Sequence, residues 1–355
     1  LADQYAYRPS GSTTAALVDI LHHVTNLLES NKYVRCLFID FTKAFDTVNH
    51  PKLFYKLHRL SLPPTILAWI VNFLTGRSQA VAFAGVQSSL LPISRSIVQG
   101  SGLGPALYIT YKSDLHPLSS QNFIRKFADY TTIGTPQSTD VPKQVEFQHL
   151  LDWAQDNFID VNMLKTKELI FCKPRISTRL LPPPIFGIEQ VSSFKLLGVT
   201  LSQGLSMDQH VNNILSIIMQ RFYLLNQLKK QGLSTPALNC IFHALVISRL
   251  LYALPAFSGF LSAASINRLD AACRKAKRWG ITDLTISFRE LIDQTDEDFF
   301  YKVNLSNHCL HHLLPPISPA SQAYDLRPRG HQFSLPDSGT LFRKSFLIRC
   351  LYKYK

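Results

Sequence analysis

Cysteine is scarce and scattered in this 355-residue chain: Cys36, Cys172, Cys240, Cys273, Cys309 and Cys350 lie more than thirty positions apart. That spacing excludes zinc ribbons and redox Cys pairs, and predicts reduced, mostly buried thiols in an intracellular protein. Acid is scarce too. Only 24 Asp and Glu stand against 37 Lys and Arg, a formal charge of +13 that favours a polyanionic partner, nucleic acid before a membrane surface. Internal repeats and low-complexity tracts are lacking, which removes solenoids and biased linkers. No signal peptide opens the sequence, so an intracellular protein, nuclear or cytoplasmic, is expected. The long apolar run from Ala237 to Phe257 is interrupted by His243 and Arg249, which predicts a core helix and no membrane partner. HCLHH puts His308 and His312 on one helical face but lacks a second ligand pair, which favours a partly exposed helix over a metal site.

Patterning is what the chain does have. TTAALVDILHHVTNLLES, Thr13 to Ser30, spaces its apolar residues for a helix that Asn31 ends. VRCLFIDF, Val34 to Phe41, is a nearly unbroken apolar run with Asp40 near its end, the pattern of a strand buried on both faces. A helical stretch from Pro51 to Leu74 is broken at Pro63 and Pro64; QAVAFAG and LLPISRSIV then alternate like paired strands with GVQSS as their turn. GPALYITYKSDL predicts a helix opening at Pro105. KFADYTTIGTP, Lys126 to Pro136, predicts two strands about a tight turn that carries Asp129, followed by an amphipathic helix over VEFQHLLDWAQDNF and a strand over TKELIFC. This order makes an α+β fold, an antiparallel sheet packed on helices. Beyond Gly198 the chain turns helical. SINRLDAACRKAKRWG sets Ile266, Leu269, Cys273 and Ala276 against a basic remainder of Arg274, Lys275, Lys277 and Arg278, a face suited to following phosphates.

FIDFTKAFDTV holds two acids six apart at the end of an apolar strand. Burying Asp40 there is costly unless something offsets its desolvation, and a divalent cation commonly does. A helix cap would explain an acid at that place as well. Asp129 sits 89 residues on, at a second strand end. Two carboxylates converging there would hold a pair of Mg²⁺ ions about 4 Å apart, placed to stabilise the attacking and leaving oxygens of a phosphoryl transfer.

IDFTKAFDTVNH, VQGSGLGPALYITYKSDL and KFADYTTI, in this order, resemble the three palm motifs of reverse transcriptases from non-LTR (LINE-type) retrotransposons. QYAYRPSGSTTAAL resembles the family's fingers segment, WIVNFLTGRSQAV the stretch between the first two palm motifs, and NMLKTKELIF and FKLLGVTL the last palm strands. YDLRPRGHQFSLP and SFLIRCLY resemble a tail seen in such elements. The resemblance implies a right-hand polymerase, with partial fingers over 1–30, a palm over 31–204, a helical thumb over 205–300 and a basic C-terminal tail over 301–355. It implies RNA-directed DNA synthesis on an RNA template and DNA primer duplex, with dNTPs and Mg²⁺. Asp40 and Asp129 would be the metal-binding carboxylates, with the main-chain carbonyl of Phe41 as a further ligand. Phe45 would lie under the incoming sugar and collide with a 2′-hydroxyl. Lys43 and Ala44 would turn their amides to the triphosphate, and Arg8 would pair with phosphate oxygens. Gln99, Gly100 and Ser101 would form the loop that supports the nascent base pair, and Lys165 would neutralise or protonate the leaving pyrophosphate.

The sequence departs from that pattern in the site itself. The hairpin motif F/Y-A-D-D has Tyr130 in place of its second acid. A phenol keeps its proton at neutral pH and is no anionic ligand. The loop G-x-P-Q-G-S reads SIVQGS, with Ser96 and Val98 for the glycine and proline, and Ala6 replaces a fingers glycine. Two readings follow: a LINE-type polymerase with a weakened metal site, or a degenerate copy that keeps the fold and nucleic-acid binding without catalysis.

Overall fold

Ser12 opens the first helix, α1 (Thr13–Ser30), by accepting a hydrogen bond from the Ala15 amide. β1 (Tyr33–Ile39) follows and is buried along nearly its whole length. The computed structural model describes residues 3–173, 181–319 and 331–355. Helices α2 (His50–His58) and α3 (Pro64–Leu74) are separated at the Pro63–Pro64 pair. Four two-residue strands come next, β2 (Ser78–Gln79), β3 (Ala82–Phe83), β4 (Val86–Gln87) and β5 (Leu91–Pro92). After α4 (Gly104–Tyr111), β6 (Phe123–Phe127) and β7 (Tyr130–Pro136) form a hairpin. The sheet region closes with α5 (Lys143–Asp156), β8 (Lys167–Cys172), β9 (Glu189–Val191), β10 (Ser193–Leu196) and β11 (Val199–Ser202).

Five strands make the central sheet, ordered β6-β7-β1-β8-β9 and antiparallel except at the parallel β8–β9 edge. Alternation along β1 serves two cores. Val34, Cys36 and Phe38 enter one with α1 and the C-terminal helices; Leu37 and Ile39 enter the other with residues of α2 to α5. Buried charge fixes the middle of this layer, since Arg35 of β1 meets Glu168 of β8 at 2.7 Å, and losing one partner of such a pair costs about 3–5 kcal/mol. All six cysteines are free thiols, and only Cys240 is exposed.

The second half is helical: α6 (Asp208–Lys230), α7 (Thr235–Phe242), a π-helical turn (His243–Ile247), α8 (Ser248–Leu251), α9 (Leu254–Phe257), α10 (Ala263–Arg278) and α11 (Phe288–Asn304). Residues 235–260 have the length and apolarity of a membrane span, yet Leu238, Phe242, Val246, Leu250, Leu254 and Phe257 pack in the core, and the helix is interrupted at Ala253 with φ +54°.

Three expectations change in detail. The turn of the small hairpin is Ala84–Gly85, so only the first residue of GVQSS turns and its Val86–Gln87 are strand β4; Gly85 (φ +79°) readily takes the left-handed backbone that joins β3 to β4, while β2 pairs with β5 outside it. HCLHH is a turn leading to a short 3₁₀ segment at His311–Leu313, with His308 buried and its Nδ1 accepting the Leu310 amide at 3.2 Å. The expected tail is built into the core: Phe342, Phe346, Leu347, Cys350 and Leu351 are buried with α1, and the ring of Phe342 lies 5.1 Å from that of His22. Within YDLRPRGHQFSLP, residues 324–330 lie outside the described residues.

Burial also sets an acid limit. It lowers His22 to about 3 and His23 and His210 to about 4. Asp19 stands 3.1 Å from His23, but Arg125 already engages that carboxylate, so desolvation prevails. Unfolded histidines titrate near 6.5, so from there down to about 4 the unfolded chain binds as many as three more protons than the folded one. Stability should therefore fall on acidification, by up to roughly 4 kcal/mol per pH unit. Urea midpoints compared at pH 7 and pH 5.5 measure this, and equal midpoints would contradict it.

Candidate active site

Asp40 follows directly on β1, where the chain leaves the sheet. An antiparallel bridge between Phe41 and Val161 holds that exit, with the Thr42 amide donating to Asp160 O and the Asn162 amide to Asp40 O, both at 2.8 Å. The bridge turns the Phe41 carbonyl to the other edge, toward β7. Asn162 Oδ1 also accepts the Lys165 amide at 3.2 Å, and this brings Lys165 Nζ to 3.5 Å from the Asp40 carboxylate. Asp40 is largely buried and Lys165 largely exposed.

Asp129 stands in the two-residue turn between β6 and β7, beside Ala128 at φ +52°. Beneath it lies Lys112, the C-cap of α4, fully buried, whose Nζ donates to the carbonyls of Ala128 and Asp129 at 3.1 Å and to Thr131 Oγ1 at 2.9 Å. The ammonium also sits 4.4 Å from the centre of the Phe41 ring. Burial lowers the Lys112 pKa well below the usual lysine range, with the neighbouring charge of Lys126 acting in the same direction and Asp129, Asp3 and Asp40 against it. Tyr108, one helical turn earlier, is pushed well above the usual phenol range by burial and then by the charges of Asp129 and Asp40. Both carboxylates thus bear on the same two side chains. Phe45 stacks on Tyr108 with ring centres 4.5 Å apart, which sets it beside this cluster. Sequence reasoning passed over Tyr108 and Lys112; the available signal was a lone lysine in the apolar helix GPALYITYK.

Tyr130 is the first residue of β7 and is 43% exposed. Ile39 pairs with Thr131, so the next step of the register places Tyr130 opposite Asp40 on the same face of the sheet. Gln99 lies across from the Asp40 loop, its Nε2 donating to Asp46 Oδ1 at 3.1 Å, next to a cavity of about 920 Å³ also lined by His50, Arg77, Ser96 and Gly100. Lys43 has φ +47° in that loop, and the Asp46 and Thr47 amides fold back onto its carbonyl. Arg8 is placed differently: it donates to Gln4 O at 3.2 Å, and its charge acts on His308 and Cys309 of the C-terminal segment. Among the described residues no three His, Cys, Asp or Glu side chains gather as a metal cluster.

Residues 2–201 match the sequence family described as reverse transcriptase (RNA-dependent DNA polymerase). The chain belongs to the reverse transcriptase family. It is 29% identical over 222 residues to the RNA-directed DNA polymerase from mobile element jockey of Drosophila melanogaster, covering 59% of this chain and 24% of that protein. The probable RNA-directed DNA polymerase from transposon X-element of Drosophila melanogaster is 27% identical over 65% of the chain and 27% of its own length. The jockey polymerase of Drosophila funebris is 26% identical over 78% of the chain and 31% of its own length. The chain thus spans about a quarter to a third of these relatives, which bear out the resemblance to LINE-type elements. A telomerase from Candida tropicalis, in complex with a fragment of telomeric RNA, aligns over 88% of this chain with a TM-score of 0.46 and 14% identity.

Within the reverse transcriptase fold one departure has a clear local consequence. Ser96, where the family pattern has glycine, keeps φ +96°, a backbone state that a side chain strains by about 1–3 kcal/mol. Glycine would relieve that strain and give back roughly 0.4–1 kcal/mol through its freer unfolded chain. Ser96→Gly is therefore expected to stabilise the protein by about 1 kcal/mol, read as a higher urea midpoint with unchanged m-value. A lower midpoint would mean that the strain is absent.

Proposed function

We propose that the chain is the RNA-directed DNA polymerase region of a LINE-type element, extending a DNA primer on an RNA template with dNTPs. The observation that supports this reading is the pairing of β1 with β7, Ile39 against Thr131, by which the chain ends that carry Asp40 and Asp129 leave the sheet at the same end. Reverse transcriptases generally use divalent metals, and the donor set fits a hard cation: two carboxylates and the Phe41 carbonyl, all oxygen. Asp40, Asp129 and that carbonyl would hold Mg²⁺, which when bound supplies charge stabilisation to the attacking and leaving oxygens.

The remaining roles belong to the chain's own groups. Lys112 fixes the turn that presents Asp129 by satisfying two of its carbonyls. Lys165, exposed and tethered above Asp40, is free to swing toward a leaving pyrophosphate and neutralise it. Phe45, backed by Tyr108, presents a rigid ring that would meet a ribose 2′-hydroxyl and so favour deoxynucleotides. The Gln99 loop would support the nascent base pair, with Gly100 at φ +86° allowing close backbone approach. The test is Mg²⁺-dependent primer extension on poly(rA)/oligo(dT) by the chain, its Tyr130→Asp variant and an Asp40→Ala control. Extension by neither the chain nor Tyr130→Asp would count against the reading.

A further inference from the structure

Ala128 keeps φ +52° in the turn that carries Asp129, and an alanine persists in that state only where its surroundings impose it. Two buried side chains hold it. Lys112 Nζ donates to its carbonyl, and its amide donates to Gln4 Oε1 at 3.3 Å, across 124 residues of chain. Gln4 is 1% exposed, and the same oxygen accepts the amides of Tyr5 and Ala6, each at 3.0 Å. Its Nε2 is buried and has no hydrogen-bond partner among the described residues, a cost the fold bears to keep the oxygen in place. A carboxylate there would instead set a buried negative charge beside the turn that already carries Asp129.

The segment that bears Gln4 is itself fixed. A parallel bridge joins Gln4 to Lys126, with the Lys126 amide donating to Asp3 O at 2.7 Å and the Tyr5 amide to Lys126 O at 2.9 Å. Lys126, 2% exposed, adds its Nζ to the Asp3 carboxylate at 2.8 Å and to Lys112 O at 2.9 Å. Beyond Gln4 the chain closes a tight loop. Arg8 Nη1 donates to Gln4 O, the Gly11 amide donates to Arg8 O at 3.0 Å, and a Cβ on Gly11 would come within 2.2 Å of Tyr5 O. The Cys309 amide then donates to Ser10 Oγ at 2.8 Å, which ties the loop to the C-terminal segment. Gln4 therefore reaches the Asp129 turn from a rigid support.

We propose that Gln4 is a positioning residue for the metal site: its Oε1 fixes the Ala128 amide and so holds Asp129 at the end of the sheet where Asp40 leaves β1. With the carbonyl of Ala128 held by Lys112 and its amide by Gln4, the turn has one conformation in which to present its acid, and a cation meets Asp129 already placed. The assignment rests on the polymerase reading and extends its metal site to a residue of the N-terminal segment.

Two readouts on the full chain test this, at a temperature where every variant is folded: hydrogen exchange of the turn amides by mass spectrometry without metal, and Mn²⁺ affinity from the EPR signal of the free ion. Gln4→Met, which keeps the length and removes the acceptor, should speed exchange at the turn about tenfold, the equivalent of one lost hydrogen bond, and weaken Mn²⁺ binding about tenfold. Should Gln4→Met not fold, Gln4→Asn, one methylene shorter, takes its place with the same expected result. Gln4→Glu keeps an acceptor oxygen, and its turn should exchange within about twofold of the unaltered chain. Leu250→Ala, a core truncation in the helical half, should lower Tm and leave both readouts unchanged. Unchanged exchange or unchanged affinity in Gln4→Met overturns the proposal, and so does an equal loss of affinity in Leu250→Ala, which would make Gln4 a residue of general stability. If Asp40→Ala binds Mn²⁺ as the unaltered chain does, the metal reading falls and the assignment with it, even where turn exchange responds to Gln4→Met.

Discussion

Restoring a carboxylate at the hairpin by Tyr130→Asp is expected to raise Mg²⁺-dependent primer extension at least tenfold and to lower the Mg²⁺ concentration at half-maximal rate. The register sets residue 130 opposite Asp40, so the new carboxylate would enter the same charged cluster. Asp40 and Asp129 lie at strand ends that leave the sheet together, with the Lys165 cation beside Asp40, so a carboxylate added there would strengthen the hold of the proposed site on a dication. One more carboxylate about 4 Å from a unit charge contributes roughly 4 kcal/mol at an effective dielectric of 20, and screening at an exposed position cuts this to about a third, about tenfold in rate or affinity. A readout independent of catalysis exists. Without Mg²⁺ the variant should melt slightly lower, through repulsion among three acids, and with Mg²⁺ its gain in Tm should exceed that of the unaltered chain. Equal extension by both proteins would show that two carboxylates suffice.

Asp40→Ala in the Tyr130→Asp background is expected to cut extension by about 10²–10³-fold, the usual cost of losing one preorganised charge from a transition state. The fold should survive, because Lys165 is 71% exposed and its pairing with Asp40 contributes little to stability. Hybrid affinity, measured at the same salt, should stay within about twofold, since phosphate contacts elsewhere dominate it. Retained extension would make Asp40 a structural residue at a strand exit and would remove the palm chemistry from this site.

Legibility followed chain locality. The bounds of α1 were readable because its periodicity is uninterrupted and Asn31 stops it, and the Asp129 turn because two apolar strands flank it. The sequence offers Asp40 and Asp129 only as residues at two strand ends, and the adjacency of β1 and β7 brings those ends to the same end of the sheet. Lys112 was not readable as part of the site. Its partners are carbonyls 16 and 17 residues away, and backbone acceptors leave no trace in side-chain pattern. The small hairpin was misplaced because its strands are two residues long and exposed, so alternation there reports no core.

The last helix, Phe346–Lys353, lies in one core with α1, more than 300 residues away along the chain. During synthesis at about 5–20 residues per second, α1 would leave the ribosome roughly 15–60 s before the segment that covers it. Through that interval the flank of α1 that Phe342 and the last helix cover faces water or a chaperone, and loop closure over so long a chain is slow. A nascent polypeptide halted before Phe342 would keep the palm residues and yet present an open apolar flank, so proteolytic sensitivity of C-terminally shortened chains, and not their catalytic residues, should decide how much protein accumulates.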